Sequence, residues 1–350
     1  MLIKHVPEDF IVEEVPLKEW DDAGQYAVFK LTKVSLDTQQ AVDILCRRFH
    51  LSNTDIKYSG TKDKHAHTTQ YISIPNRHGI KDIRLDEDNL KLEHVGFSEQ
   101  PLSLGTLKGN RFTLTVRDLE DKELKAFKEK KIHDKFIIPN YFDEQRFSSN
   151  NYNIGLSILK KEFRKAVHYM CESSDIYTDT ITVYMAAHPN DYVGALQHVN
   201  KKTLLMFIHS VQSIIFNESL SNILLENALK NSIEYYLVPY SLGNFVFYKN
   251  SSDYDKIIES SIIPESLELV GFNTQTMNHT VKHLLDEKSL TQRDFIVRAL
   301  PDLSVEGTIR ECFLDIQNLE KKILYDRVIL EFELDKGSYA TIVVKALMNA

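Results

Sequence analysis

Between two stretches of strand-forming residues, Ile56 to Ser59 and Thr69 to Ile74, the chain carries Gly60-Thr61-Lys62-Asp63-Lys64. An aspartate between two lysines can be a turn former or a surface charge. It can also be a carboxylate kept ionised by neighbouring cations, as a nucleophile or general base requires. Gly60 permits an unusual backbone, the small and polar residues Ala66 to Gln70 could line a site, and the strand that follows is a rigid platform for a reacting group. His65 and His67, at alternate positions of a strand, form a rival metal-binding pair, but a zinc site needs further ligands and no partner motif accompanies them.

Two other stretches hold groups suited to binding. Lys108 and Arg111 bracket Gly109-Asn110 at a strand entrance, where a hydrogen-bonding amide, a flexible backbone and the aromatic Phe112 could converge. In "PNYFDEQRFSS", Pro139 to Ser149, Tyr141, Gln145 and Arg146 interleave ring, amide and guanidinium. That mixture suits RNA, in which rings stack on bases and Arg grips phosphate, and it equally suits a hinge between domains.

These residues have to be positioned by elements that the pattern partly reveals. "FIVEEV" and "QYAVFKLTKV" are rich in strand formers, Thr38, Val42, Leu45 and Phe49 recur at helical spacing, and "NRFTLTVRDL" reads as another strand followed by a lysine-rich helix. From about Asn150 to Leu300 long helical patterns dominate. Near the end "DRVILEFEL" and "SYATIVVKAL" flank Asp335-Lys336-Gly337 as a bulged hairpin would, predicting two closing strands. Strand-rich ends around a helical middle predict an α+β domain interrupted by another. The 350 residues fit one large or two medium domains.

Composition sets further bounds. With 43% apolar and 26% charged residues the chain has the make-up of a globular protein, and no apolar run approaches the ~20 residues that span a bilayer. "MLIKHVPEDF" lacks the apolar region of a secretory signal, so the cytoplasm is expected. Cys46, Cys171 and Cys312 are scattered without CxxC spacing, which argues against a disulfide framework and a structural zinc site. A net charge of -8 gives no general support for a nucleic-acid partner. From Lys108 to Lys165, however, fourteen Lys and Arg stand against nine Asp and Glu, a candidate phosphate footprint.

Taken together, "PEDFIVEE", "GTKDKHAHTTQ", "LKGNRFTLTVRD", "NYFDEQRFS", "VQSIIFN", "LVGFNT" and "KGSYATIVVKAL" occur in the order seen in the TruD family of tRNA pseudouridine synthases, which the chain resembles over nearly its whole length. The resemblance implies a mixed α/β pseudouridine synthase domain at residues 1–147 and 305–350, interrupted by a mainly helical insertion domain at 148–304. It implies isomerisation of a uridine, uridine-13 of tRNA, to pseudouridine. Asp63 falls on the family's catalytic aspartate, Phe112 on its aromatic beside the flipped base with Asn110 next to it, and Lys4 on a basic residue three positions before the P-E-D-F block. Lys62, Lys64, Lys108, Arg111, Tyr141, Gln145 and Arg146 are then the candidate RNA contacts. The partner is tRNA, and no cofactor, metal or obligate protein partner is implied. Two other classes stay open: an RNA-binding protein without catalysis, and a metal-dependent hydrolase using His65 and His67.

Overall fold

A computed structural model describes residues 2–77, 79–129, 136–148, 150–173 and 177–348. The chain divides into two compact units, Met1–Phe136 with Asp315–Ala340, and Ile137–Leu314 with Thr341–Ala350. These divisions compare with the expected boundaries at 147/148 and 304/305.

In the first unit the strands are β1 (Leu2–Ile3), β2 (Phe10–Pro16), β3 (Tyr26–Val34), β4 (Lys57–Tyr58), β5 (His67–Pro75), β6 (Leu85–Glu87), β7 (Leu90–Ser98) and β8 (Leu107–Arg117), and the helices are α1 (Thr38–Phe49) and α2 (Asp121–Glu129). In chain order there follow β9 (Phe136–Pro139), α3 (Asn151–Leu159), α4 (Phe163–Glu172), α5 (Thr178–Ala187), α6 (Tyr192–Gln197), α7 (Lys201–Asn231), β10 (Tyr235–Tyr240), β11 (Gly243–Tyr248), α8 (Ser251–Glu259), β12 (Ser266–Leu269), α9 (His279–Glu287) and β13 (Thr308–Glu311). The chain closes with β14 (Phe313–Ile323), β15 (Arg327–Asp335) and α10 (Ala340–Met348).

The sheet of the first unit runs β6-β7-β3-β5-β2-β8-β15-β14, with β1 added on β8 and β4 on β5. It is mixed: β2 and β5 are parallel, Ile11 opposite His67, while β3 and β5, β2 and β8, and β8 and β15 are antiparallel. Helix α1 covers the face carrying Phe29, Leu31, Ile72 and Ile74, and inserts Ala41, Val42 and Leu45 into that core. It starts where it does because the Asp37 carboxylate accepts from the Gln40 amide at 2.8 Å and Gln40 Oε1 accepts from the Asp37 amide at 3.1 Å, a reciprocal cap. Elsewhere Phe10 and Val12 of β2, Phe112, Leu114 and Val116 of β8, and Leu330 and Phe332 of β15 are buried at alternate positions, as period-2 patterning requires.

The second unit is built on α7. Its 31 residues extend about 46 Å at 1.5 Å per residue, and buried residues on successive turns, from Leu204 through Phe216 to Leu224, give it the all-round burial of a central helix. β10 and β11 form a hairpin, Tyr240 opposite Gly243.

One expectation is overturned. "SYATIVVKAL" is not a strand: residues 340–348 form α10, and the hairpin partner of β15 is β14, closed where the Leu324 amide donates to the Arg327 carbonyl. Ile342, Val343, Val344, Ala346 and Leu347 are all buried, and an apolar run interrupted only by Lys345 has no strict alternation to separate strand from buried helix. Gly337 does take the left-handed conformation, φ 85°, at the turn into the helix.

Candidate active site

The segment Gly60 to Asp63 joins β4 to β5, and the Lys62 amide and the carbonyls of Gly60, Lys62 and Asp63 are each held by side chains beneath it. The Lys62 amide donates to Thr38 Oγ1 at 2.9 Å, and that hydroxyl donates to Gln70 Oε1 at 3.0 Å. Gln70 Nε2 donates in turn to the Gly60 carbonyl at 3.3 Å. The Lys62 ammonium reaches Glu14 Oε1 at 2.6 Å, with side chains only 8% and 1% exposed, and Glu14 Oε2 accepts from the Tyr71 amide at 2.9 Å. Lys33, fully buried on β3, donates to the carbonyls of Leu36, Lys62 and Asp63 at 2.6, 3.3 and 3.0 Å.

The Asp63 carboxylate projects from this support with its side chain 48% exposed, and Lys4 Nζ lies 2.6 Å from Oδ2. Lys4 is not a loose terminal residue. β1 pairs with β8, placing Leu2 opposite Arg117 and Ile3 opposite Val116. Just beyond, the buried Asp9 carboxylate accepts from Arg117 at 2.7–2.8 Å and from the Val6 amide at 3.2 Å. Burial alone would raise the Asp9 carboxyl, but the Arg117 guanidinium and the Val6 amide together hold it below its ordinary value. Between these anchors Lys4 adopts φ 66°, and its ammonium sits 3.9 Å from the centre of the Phe10 ring.

Phe10 meets Phe112 edge-on at 6.2 Å, and Phe112 stacks on Phe332 at 5.5 Å. Phe112 is only 6% exposed. Its ring is therefore almost wholly covered, and it contacts the two other rings. Asn110 lies opposite Glu14 in the β2–β8 pair, and its buried Oδ1 makes no hydrogen bond with the described residues. A Cβ on the neighbouring Gly109 would overlap the Leu334 carbonyl oxygen, so the close approach of β15 requires glycine there.

Several expectations change. Gly60 is not among the glycines with positive φ, and its backbone needs no glycine for that reason. Lys62 is committed to Glu14 inside the fold, with its side chain largely buried. Tyr141 is fully buried in the second unit: its hydroxyl donates to the Val246 carbonyl at 3.1 Å and its ring packs on Phe245 and Phe247, so it presents no face to a base. This packing, together with Asn217 bonding both the amide and the carbonyl of Phe142, is why the segment joins the helical unit. Arg146 donates to Ser213 Oγ at 3.4 Å, and Gln145 lines a cavity of about 520 Å³ with Phe147, Tyr152 and Ser241. Lys64 and Lys108 are exposed, whereas Arg111 pairs with Glu333 across β8 and β15 at 2.7 Å.

The basic segment is less free than its count suggests. Arg111, Arg117, Lys161 and Lys165 are each paired with a carboxylate, and Lys130, Lys131 and Lys135 lie outside the described residues. His65 precedes β5 and His67 begins it, so the two do not alternate on one strand. Among the described residues no group of three or more His, Cys, Asp or Glu could hold a metal ion, and no helix is long and apolar enough to cross a membrane.

The supporting residues Lys33 and Glu14 were not singled out from the sequence, although a signal existed. Lys33 is in phase with Phe29 and Leu31, and Glu14 with Phe10 and Val12. A charge on the buried phase of a strand needs partners, and the Gly60 to Asp63 segment supplies some to each, beside the Leu36 carbonyl for Lys33 and the Tyr71 amide for Glu14.

Comparison with known proteins places this geometry in a family. A model described as tRNA pseudouridine synthase D (TruD) matches residues 1–182 and 177–347. The chain is 31% identical over 395 aligned positions to the probable tRNA pseudouridine synthase D 1 of Methanococcus maripaludis, covering 100% of both. It is 30% identical to the probable tRNA pseudouridine synthase D 2 of Methanocaldococcus jannaschii, covering 99% of this chain and 91% of that one. The crystal structure of the putative tRNA pseudouridine synthase D of Methanosarcina mazei shares the fold with a TM-score of 0.68, at 24% identity, over 99% of this chain and 93% of that one. The chain belongs to the TruD family of pseudouridine synthases.

Proposed function

We propose that the protein isomerises a uridine of tRNA, uridine-13, to pseudouridine, with Asp63 as the reacting carboxylate and without a metal or cofactor. The observation that carries this reading is the Lys4–Asp63 pair: a half-exposed carboxylate on a braced segment, 2.6 Å from a cation that is itself fixed between two anchors. In the reaction the C1′–N1 bond breaks, the uracil turns, C5 bonds to C1′, the C5 proton leaves and N1 takes up a proton. The product is an isomer and the step needs no oxidant or reductant. An ionised carboxylate can act as nucleophile or as base in such a step.

Extracting the uridine from its stack costs a few kcal/mol. The exposed Lys64 and Lys108 are available for phosphate contacts that offset part of it. The test is to incubate unmodified tRNA with the purified protein in the presence of chelator and map pseudouridine by position. Product at uridine-13 with wild type and none with Asp63→Asn, at tRNA affinity within a few-fold, is the expected result. Equal product from Asp63→Asn would overturn the role of that carboxylate, and an RNA-binding protein without catalysis would yield none from either.

A further inference from the structure

Among the described residues, Lys33 is a cation with no carboxylate within salt-bridge distance. It sits on the buried phase of β3, fully enclosed, and its three hydrogen bonds all run to carbonyl oxygens, those of Leu36, Lys62 and Asp63. An ammonium has three donors and no acceptor, so its capacity is filled. Burying a charge in this way is costly, and an apolar side chain of similar length would suit a strand facing the core better. What the charge adds is a grip on two successive carbonyls of the segment that carries Asp63.

We propose that Lys33 is a positioning residue: by holding the Lys62 and Asp63 carbonyls together, its ammonium fixes the backbone from which the Asp63 carboxylate projects toward Lys4. The role rests on reading Asp63 as the reacting carboxylate. The Asp63 carbonyl sets the direction of that residue's own Cα–Cβ bond. The 2.6 Å contact with Lys4 leaves little room for the backbone to drift. A misplacement of about 1 Å at a reacting group is enough to cost roughly 100-fold in rate.

The grip depends on protonation. A neutral amine has two donors and one lone pair, so of the three carbonyls around Lys33 one would then face a lone pair with nothing to donate. The charged groups acting on Lys33 are Asp63 and Lys62 from the segment it holds and Asp37 from the cap of α1. Burial lowers the Lys33 ammonium from its ordinary value, against the attraction of Asp63 and Asp37, to about 8. The grip is complete below that pH and loosens as pH rises through it.

The experiment measures single-turnover pseudouridine formation on unmodified tRNA, with tRNA affinity in parallel, from about pH 6 to about pH 10 for wild type, Lys33→Met and Lys33→Arg. Wild type should lose rate through a limb near pH 8 with affinity unchanged. Lys33→Met should be about 100-fold slower at neutral pH, bind tRNA within a few-fold of wild type and lack the limb. Lys33→Arg, which stays charged, should move the limb to higher pH. Wild-type rate in Lys33→Met, a flat wild-type profile, or a limb that stays near pH 8 in Lys33→Arg would each overturn the role. Should Lys33→Met fail to fold, the wild-type and Lys33→Arg profiles decide. No product from wild type at any pH would overturn the reaction itself and this role with it, whereas full product from Lys33→Met would overturn this role alone.

Discussion

Lys4 Nζ and Asp63 Oδ2 are 2.6 Å apart although 59 residues separate them in the chain. The pair joins two independently anchored pieces, the β1 segment pinned on β8 and the segment held up by Lys33, Thr38 and Glu14. With side chains 23% and 48% exposed it contributes little to stability, about 0–1 kcal/mol for a pair of this kind. The effort of fixing both ends is better explained by the chemistry of the carboxylate.

Lys4→Met is therefore expected to separate stability from turnover. The melting temperature should change little, since the loss is a partly exposed ion pair and a cation–π contact of about 0.5–1 kcal/mol with Phe10. Single-turnover pseudouridine formation should fall by about 10-fold or more at nearly unchanged tRNA affinity. Thermal unfolding, filter binding and single-turnover rates on one preparation check this. A variant with wild-type rate would remove Lys4 from the site.

The anchor behind Lys4 makes a second prediction. Arg117→Met leaves the Asp9 carboxylate buried without its cation, a change worth about 3 kcal/mol in stability for a broken buried pair. It should also slow turnover, because the segment carrying Lys4 loses its tether to β8. The Asp9 carboxyl is held below its ordinary value, so its contribution is complete above the ordinary carboxylate range and is lost as pH falls through and below that range. Urea unfolding at neutral and acid pH should show the difference between wild type and Arg117→Met shrinking toward acid.

Lys62 and Lys64 flank Asp63 but have opposite surroundings. Lys62→Met strands Glu14 in the interior and should cost about 3 kcal/mol of stability while leaving the salt dependence of tRNA binding unchanged. Lys64→Ala should leave stability within about 0.5 kcal/mol and, if Lys64 contacts a phosphate, reduce the slope of log affinity against log salt by about 1. A reduced slope for Lys62→Met would show that Glu14 releases it in the complex.

Much of the first unit could be read from periodicity. β2, β3, α1 and β8 fall where alternation or helical spacing put them, because each has one face in the core. Asp63 stands out locally as a carboxylate between two lysines and Lys4 only through motif order, and no local pattern announces that residue 4 meets residue 63. The last helix was misread since its apolar run lacks a period, and Tyr141 was misread since a ring suited to stacking on a base is equally suited to filling a core. Lys33 and Glu14 were legible as charges on a buried phase, yet their meaning required knowing which segment crosses beneath them.

The last prediction sets stability against activity at Lys33. Its ammonium is lowered by burial to about 8 from an ordinary 10.5, so between these values the unfolded chain still holds a proton that the folded chain has released. Stability rises with pH wherever the unfolded state binds more protons, so this group stabilises the fold progressively across that window and contributes no slope below it. Other groups also titrate there, and the comparison that isolates Lys33 is wild type against Lys33→Met, which removes the group and leaves the rest. The urea midpoint of wild type should gain on that of Lys33→Met as pH rises through and above 8, over the same range in which the wild-type turnover rate declines. A cation placed to brace the fold would make stability and activity fall together. A cation held at a cost in order to orient Asp63 makes them move in opposite directions, and parallel loss of both would refute that account.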